Sequence, residues 1–382
     1  MWLHILLIIT FLLFIPYTII ILMYRKWFLQ LKEFELPVSY QSKTKFSIIV
    51  PARNEENNIT ACLLSILNQE YNRLLFEIIV VDDHSIDGTS AEVEKLQQQY
   101  ANLRLIRLAD ELDGEILNSY KKKAIEIAIE KATGDWIITT DADCTVTKHW
   151  LALYDAYIQQ NNLVFVAAPV VFIKQKTILS LFQFIDFATL QGITAASVSA
   201  GFHSMCNGAN IAYKKSVFYE VNGFKFIDNI ASGDDMLLMN KIKQKYPSKI
   251  GYLFSNQAVV ATLPMPDWRS FYNQRIRWAS KADKYKDKTI FSVLLLVYCL
   301  NVCLFIIPVV ALFNWQLWLY WFFFIALKTI VELSFAKPVG KFFGQSFMWW
   351  FPLLQPLHIC YTVIAGWLGK FGKYKWKGRN VK

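Results

Sequence analysis

Residues 138–144 read ITTDADC, a run of β-formers that ends in two aspartates, Asp141 and Asp143, with only Ala142 between them. In an extended segment, side chains at i and i+2 point the same way, so the two carboxylates would project together at the strand's carboxyl end. Two like charges held side by side need a cation. Alone, a D-x-D is an ordinary solvated turn after a strand; its meaning depends on what the chain brings to the same edge.

Around this stretch, residues 46–262 alternate short β-rich runs with stretches of helical period. FSIIVP, FEIIVVD, LRLIRL, WIITTD and LVFVAAPV read as strands, and helices are expected near 57–69, 88–100, 121–132 and 148–160. Continuous apolar strands alternating with helices predict an α/β domain whose mostly parallel sheet is covered on both faces. In such sheets ligands bind at the carboxyl ends of the strands. That rule gathers Pro51, Ala52, Arg53 and Glu55 after the first strand, Asp82 and Asp83 after the second, and Asp141 with Asp143 after the fourth. Three carboxylate-bearing strand ends at one edge point to a site.

The remainder of the chain is membrane-like. Of 382 residues, 54% are hydrophobic and 16% aromatic, too apolar for a chain wholly in water. Residues 2–23 are uncharged apart from His4 and long enough to cross roughly 30 Å of hydrocarbon. No basic region precedes this run and no small-residue cleavage site follows it, so a transmembrane helix is expected rather than a signal peptide. Arg25, Lys26 and Lys32 follow the run, which puts the next residues in the cytoplasm by the positive-inside rule. The expected order is a transmembrane helix (1–24), a cytoplasmic linker (25–45), the α/β domain (46–262), an interfacial helix (263–288), transmembrane or re-entrant segments (289–368) and a basic tail (369–382).

Within this plan the apolar run 177–200, interrupted by Gln183, Asp186 and Gln191, reads as a helix along the bilayer surface or under the domain. Pro352 and Pro356 interrupt the segment 345–368, which is expected to be re-entrant or surface-lying and to leave the tail cytoplasmic. Lys328 and Glu332, four residues apart, read as a mutual pair near the interface. The six cysteines form no C-x-x-C, which fits free thiols in a reducing compartment and argues against zinc or a disulfide frame. The net charge of +10 owes much to KFGKYKWKGRNVK at the end, a cluster suited to anionic membrane lipids rather than to nucleic acid.

In this order, SIIVPARNEENNI, VVDDHSIDGT, TTDADC, CNGANIAYKKSVFYEVNGF, SGDD and QRIRW resemble the membrane-bound family 2 glycosyltransferases of the cellulose synthase and hyaluronan synthase type. The resemblance covers about residues 46–280. It implies a GT-A nucleotide-diphospho-sugar transferase domain, plus α-helical transmembrane segments. The expected reaction is inverting and metal-dependent, moving a hexose or N-acetylhexosamine from a UDP-sugar to a lipid or lipid-linked glycan acceptor at the cytoplasmic membrane face. A processive polysaccharide synthase and a non-catalytic nucleotide-sugar sensor are the rival readings.

The same resemblance assigns roles. Asp143 would ligate Mg²⁺ or Mn²⁺, and Asp141 would hold metal or donor sugar. The base would lie near Pro51, Ala52, Arg53 and Glu55, with Asp82 or Asp83 on base or ribose. Lys121 or Lys122 would contact the diphosphate, although Tyr120 stands where the family usually has glycine. Asp235 takes the general-base role by position, beside Asp234. Gln274, Arg275, Arg277 and Trp278 would serve diphosphate and acceptor. Read without their partners, Asp235 is a helix N-cap, the lysine run a solvated helix start, and QRIRW a basic amphipathic helix at a membrane surface.

Overall fold

The computed structural model describes residues 2–112, 117–228, 230, 232–281, 284, 287–347, 349–372, 374–376 and 379–381. Lys373, Lys377 and Lys382 of the basic tail lie outside the described residues. In chain order the elements are α1 (Trp2–Gln30), β1 (Phe46–Ala52), α2 (Ile59–Leu67), β2 (Phe76–Asp82), α3 (Thr89–Gln97), β3 (Leu103–Arg107), α4 (Leu108–Glu111), α5 (Tyr120–Lys131), β4 (Trp136–Thr139) and β5 (Cys144–Thr145). There follow α6 (Trp150–Asn161), β6 (Phe165–Ala167), β7 (Val170–Phe172), α7 (Ile178–Ser199), β8 (Ile211–Lys214), α8 (Lys215–Glu220), α9 (Met236–Lys245), β9 (Ile250–Tyr252) and β10 (Val260–Thr262). The last long helices are α10 (Trp268–Ala279), α11 (Lys288–Ala311), α12 (Leu317–Phe342) and α13 (Trp350–Phe371). Contacts divide the chain into an α/β unit, residues 32–173 and 204–263, and a helical unit, residues 1–31, 174–203 and 264–382.

The α/β unit carries a seven-stranded sheet of order β3-β2-β1-β4-β8-β6-β9. β1 pairs in parallel with β2 and β4, in a register that sets Ile49 beside Ile79 and Thr139, and β8 runs antiparallel to both β4 and β6. Ile48, Ile49, Val50, Ile78 to Val81, Ile137 and Ile138 are all fully buried. Unbroken apolar runs form these strands because both sheet faces are covered. LVFVAAPV does not form one strand. It splits into β6 on the large sheet and β7 on a second sheet of order β5-β10-β7. Pro169 sits at the split, where a residue without an N–H cannot continue a ladder; its carbonyl takes the Val260 amide at 3.0 Å.

In the helical unit α1 packs on α7, α11 and α12, while α13 packs on α10, α11 and α12. α1, α7, α11, α12 and α13 are long and apolar enough to cross a membrane. α7, however, lies in the chain between β6 and β8, which are hydrogen-bonded partners. One crossing by α7 would put paired strands on opposite sides of a bilayer, so its two ends lie on the same side. α13 corrects the expectation of an interrupted segment: it is one helix. Pro352 falls in its first turn, where an N–H has no intrahelical partner to lose, and Pro356 costs one backbone bond that a packed helix tolerates.

Candidate active site

The D-x-D does not lie on an extended strand. β4 ends at Thr139, the Thr140 amide makes a last ladder bond to the Ile49 carbonyl at 3.2 Å, and the chain then turns, the Cys144 amide donating to the Asp141 carbonyl at 3.1 Å. Pairing of Cys144 with Thr262 draws the chain into the second sheet and forces this turn. A turn, not strand alternation, therefore brings the two carboxylates together. One ligand atom each of Asp141, Asp143 and Cys144 lies within 4.8 Å of the others. Burial, then Asp143 and Asp141, push the Cys144 thiol well up, so it stays neutral. Two half-exposed carboxylates beside a neutral sulfur suit a hard cation such as Mg²⁺ or Mn²⁺, which the aspartates would hold without the thiol.

Lys121 and Lys122, adjacent at the start of α5, do different things. The Lys121 ammonium lies 2.7 Å from Asp141 Oδ1 and 3.4 Å from Asp234 Oδ2. Burial works against its charge, but Asp141, Asp234 and Asp235 outweigh it and raise the lysine above its ordinary range. Lys122 is 2% exposed and donates to the carbonyls of Ile227 at 2.6 Å, Ile230 at 2.5 Å and Ser232 at 3.1 Å. Of the two lysines expected at a diphosphate, Lys122 is thus turned inward, because at about 3.6 residues per turn neighbouring helical side chains point about 100° apart and the loop before Asp234 needs donors.

Asp235 caps α9, and its oxygens accept the amides of Met236 at 2.7 Å and Gly208 at 2.9 Å. A Cβ on Gly208 would come within 3.3 Å of Asp234 Oδ2 and 3.4 Å of Asp235 Cβ, so glycine lets this backbone come close. The CNGAN turn is held in place from below: the Gly208 carbonyl accepts Thr139 Oγ1 at 2.6 Å. Fully buried Asn210 accepts Trp150 Nε1 at 2.9 Å and the Tyr154 hydroxyl at 2.8 Å, and donates to the carbonyls of Pro169 and Ala258. Sequence reading overlooked Asn210; the signal was a polar residue set at the entrance of an apolar strand.

At the neighbouring strand ends, Ala52 sits beside Asp82 in the parallel register. Arg53 Nη1 donates to the Asp83 carbonyl at 2.7 Å, joining the first and second loops. Asp82 accepts the Ser85 amide at 3.0 Å and Ser90 Oγ at 2.5 Å, so its carboxylate builds the start of α3. Asp83 is 3% exposed and meets His84 Nδ1 at 3.0 Å. Glu55 accepts Asn58 Nδ2 at 2.8 Å, and Pro51 is half-buried at the end of β1. The strand-end rule thus gathers Pro51, Ala52, Arg53, Glu55, Asp82 and Asp83 as neighbouring loops.

QRIRW belongs to the helical unit, on α10. Arg275 is 4% exposed, donates to Asp186 of α7 at 2.7 Å, and lies over the Trp278 ring at 4.3 Å and the Phe271 ring at 4.9 Å. Asp186 also accepts the Tyr361 hydroxyl of α13 at 2.5 Å. Arg275, expected to face ligand, is held inside the helices by an acid that the sequence showed only as an interruption. Gln274, Arg277 and Trp278 keep partial exposure. Lys328 and Glu332 form their pair at 2.6 Å, but fully buried Lys328 also reaches Gln355 Oε1 at 2.8 Å, and Glu332 accepts the Tyr17 hydroxyl and Gln355 Nε2. The pair is a knot of α1, α12 and α13 rather than an isolated couple.

Comparison with known proteins supplies the family. The profile described as Glycosyl transferase family group 2 matches residues 136–333, more than half of the chain, and that described as Glycosyl transferase family 2 matches residues 47–221. A probable glycosyltransferase, YdaM of Bacillus subtilis, is 27% identical over 242 residues, which are 62% of this chain and 54% of that protein. Poly(ribitol-phosphate) β-N-acetylglucosaminyltransferase TarS of Staphylococcus aureus is 33% identical over 118 residues, 31% of this chain and 19% of TarS. The matched stretches therefore span about half or less of these relatives' own length. Mannosyltransferase PcManGT from Pyrobaculum calidifontis, solved with GDP-Man and Mn²⁺, superposes with a TM-score of 0.60 at 18% identity, over 95% of this chain and 98% of that one, and shares the fold.

Proposed function

From the premise that this chain belongs to the family 2 glycosyltransferases and has their GT-A fold, we propose that it moves a hexose or N-acetylhexosamine from a UDP-sugar, with inversion, to a lipid or lipid-linked glycan acceptor at the cytoplasmic face of the cell membrane. The observation that carries this reading is the meeting, within the α/β unit, of the aspartate turn with Asp234, the neighbour of Asp235, through one lysine. Carboxylates for a cation, an ammonium for phosphate and a fixed carboxylate beside them are the groups that transfer from a nucleoside diphosphate requires.

Asp141 and Asp143 would hold Mg²⁺ or Mn²⁺, which when bound offsets the charge that develops on the departing diphosphate. Lys121 adds a donor on the same side. Asp235 takes the proton of the acceptor hydroxyl; its two backbone donors fix both oxygens in orientation and leave each a lone pair. Arg53, Glu55, Asp82 and Asp83 form the base and ribose side, where a carboxylate can accept from the uracil N3–H. Gln274, Arg277 and Trp278 serve diphosphate and acceptor, the indole as an apolar platform for a sugar face. Arg25, Lys26 and Lys32 support a cytoplasmic α/β unit, and the apolar helices support a lipid-borne acceptor.

The test uses the full chain in lipid nanodiscs with native lipid extract, a panel of UDP-sugars with GDP-mannose for contrast, and Mg²⁺ or Mn²⁺. The expected product is lipid-extractable and one sugar heavier than its acceptor by mass spectrometry. A long homopolymer would replace this reading with a processive synthase. Tight UDP binding without transfer or hydrolysis across the panel would replace it with a sensor.

A further inference from the structure

We infer that Lys121 is the built-in counter-ion of the aspartate turn: its ammonium competes with a divalent cation for an Asp141 oxygen, and yields that oxygen most readily when a diphosphate takes the ammonium instead. The inference rests on the reading above, that Asp141 and Asp143 hold the cation. Three observations carry it. First, the ammonium is not poised in solvent but bonded to Asp141 at 2.7 Å and to Asp234 at 3.4 Å, so it links the turn to the Asp234–Asp235 pair. Second, it is held from behind. Lys122, next in the chain, is held by three loop carbonyls, which anchors the first turn of α5, so the long Lys121 side chain can change partners without moving the helix. Third, Asp141 remains 39% exposed on its side chain, so a second cation can reach the oxygen that the ammonium holds.

An ammonium and a divalent cation cannot both sit on one carboxylate oxygen without repulsion, so each weakens the other. A diphosphate would reverse the sign by offering the ammonium a better partner, which would leave the Asp141 oxygen to the cation. Nucleotide and metal should therefore bind as a coupled pair, and part of the coupling should reside in this one side chain.

The test titrates Mn²⁺, followed by electron paramagnetic resonance, into the full-length chain in detergent, with and without UDP. Wild type is compared with Lys121→Met, Lys123→Met and Asp143→Asn. Lys123 is the charge control: it lies on the same helix and pairs with Glu126 at 3.6 Å. Without UDP, Lys121→Met should tighten Mn²⁺ on the order of tenfold, the scale of removing one charge beside a dication. Lys123→Met should change it by less than about twofold, because salt screens an exposed charge. With UDP, the nucleotide-induced gain in Mn²⁺ affinity should shrink severalfold in Lys121→Met and stay constant in Lys123→Met. Simple loss of charge is additive and leaves that gain unchanged. Mn²⁺ binding that Asp143→Asn abolishes but that Lys121→Met leaves equal to Lys123→Met, or an undiminished UDP-induced gain, would overturn the inference and spare the metal assignment. No Mn²⁺ binding by any of the four proteins, with UDP or without it, would overturn both.

Discussion

Asp141 of the α/β unit keeps 39% of its side chain in solvent and meets a lysine that is itself 24% exposed, whereas Asp186 of the helical unit is 10% exposed and shares its oxygens among Arg275, Tyr361 and His358. Both are aspartates beside a cation. A half-exposed pair is worth little, because water replaces either partner at small cost. A buried pair is costly to take from water and far costlier to break once made. The first arrangement can exchange partners during a reaction, and the second fixes the helix that carries QRIRW. Lys328 with Glu332 belongs with the second: its charges are tied to Tyr17 and Gln355.

The comparison can be broken where it predicts most. Asp143→Asn should reduce transfer to background while leaving the unfolding midpoint unchanged, since a half-exposed carboxylate is lost; a large fall in the midpoint would make the turn structural. Asp235→Asn should lower transfer by roughly 10² to 10⁴ with Mn²⁺ binding retained. Near-normal rates would move the base role to Asp234. In the helical unit the order of effects reverses: Asp186→Asn and Lys328→Met should each destabilise by about 3–5 kcal/mol, by leaving a buried charge unpaired. Thermal unfolding in detergent reads this, and neutral variants would erase the distinction between the units.

Two smaller effects sharpen it. Lys122→Met strips the donor from three carbonyls and should cost about 1–3 kcal/mol, with faster amide exchange between residues 227 and 232. Asp155 supplies the pH arm. Burial alone would raise this carboxyl, but bonds from Thr44, Gln159, the Lys43 amide and Tyr40 prevail and lower it. A lowered carboxyl stabilises above its unfolded value near pH 4, and the gain is lost as pH falls through the folded value. Asp155→Asn should therefore flatten the fall in stability below about pH 4, an effect on the order of 1 kcal/mol.

Much of the fold was legible because buried parallel strands write themselves as unbroken apolar runs: β1, β2, β3 and β4 fall where FSIIVP, FEIIVVD, LRLIRL and WIITTD stand. Strand polarity then named the loops that carry Arg53, Asp83 and Asp141. Hidden from the sequence was every feature that depends on a distant partner. The aspartate turn needs Thr262 to pair with Cys144, and LVFVAAPV divides because β8 and β10 claim its two halves on different sheets. Helical phase alone separates Lys121 from Lys122, and only the loop near Ser232 shows which one is inward. Asp186 stood in plain view as an acid in an apolar helix; Arg275 and Tyr361, its partners, lie far along the chain.

The place of β8 also constrains synthesis. During translation β4 leaves the ribosome with its outer edge open, and β6 has no partner until α7 and then β8 have been made. An insertion machine that took α7 for a membrane span would strand β6 and β8 on opposite sides of the bilayer, and the sheet could never close. Gln183, whose amide group both donates to and accepts from the backbone of Met265, and Asp186, paired with Arg275, put polar groups in the first half of α7. In the nascent chain, before those partners exist, the same groups lower the helix's appetite for lipid. Side chains that later pin the helices would first have kept the chain from being threaded wrongly.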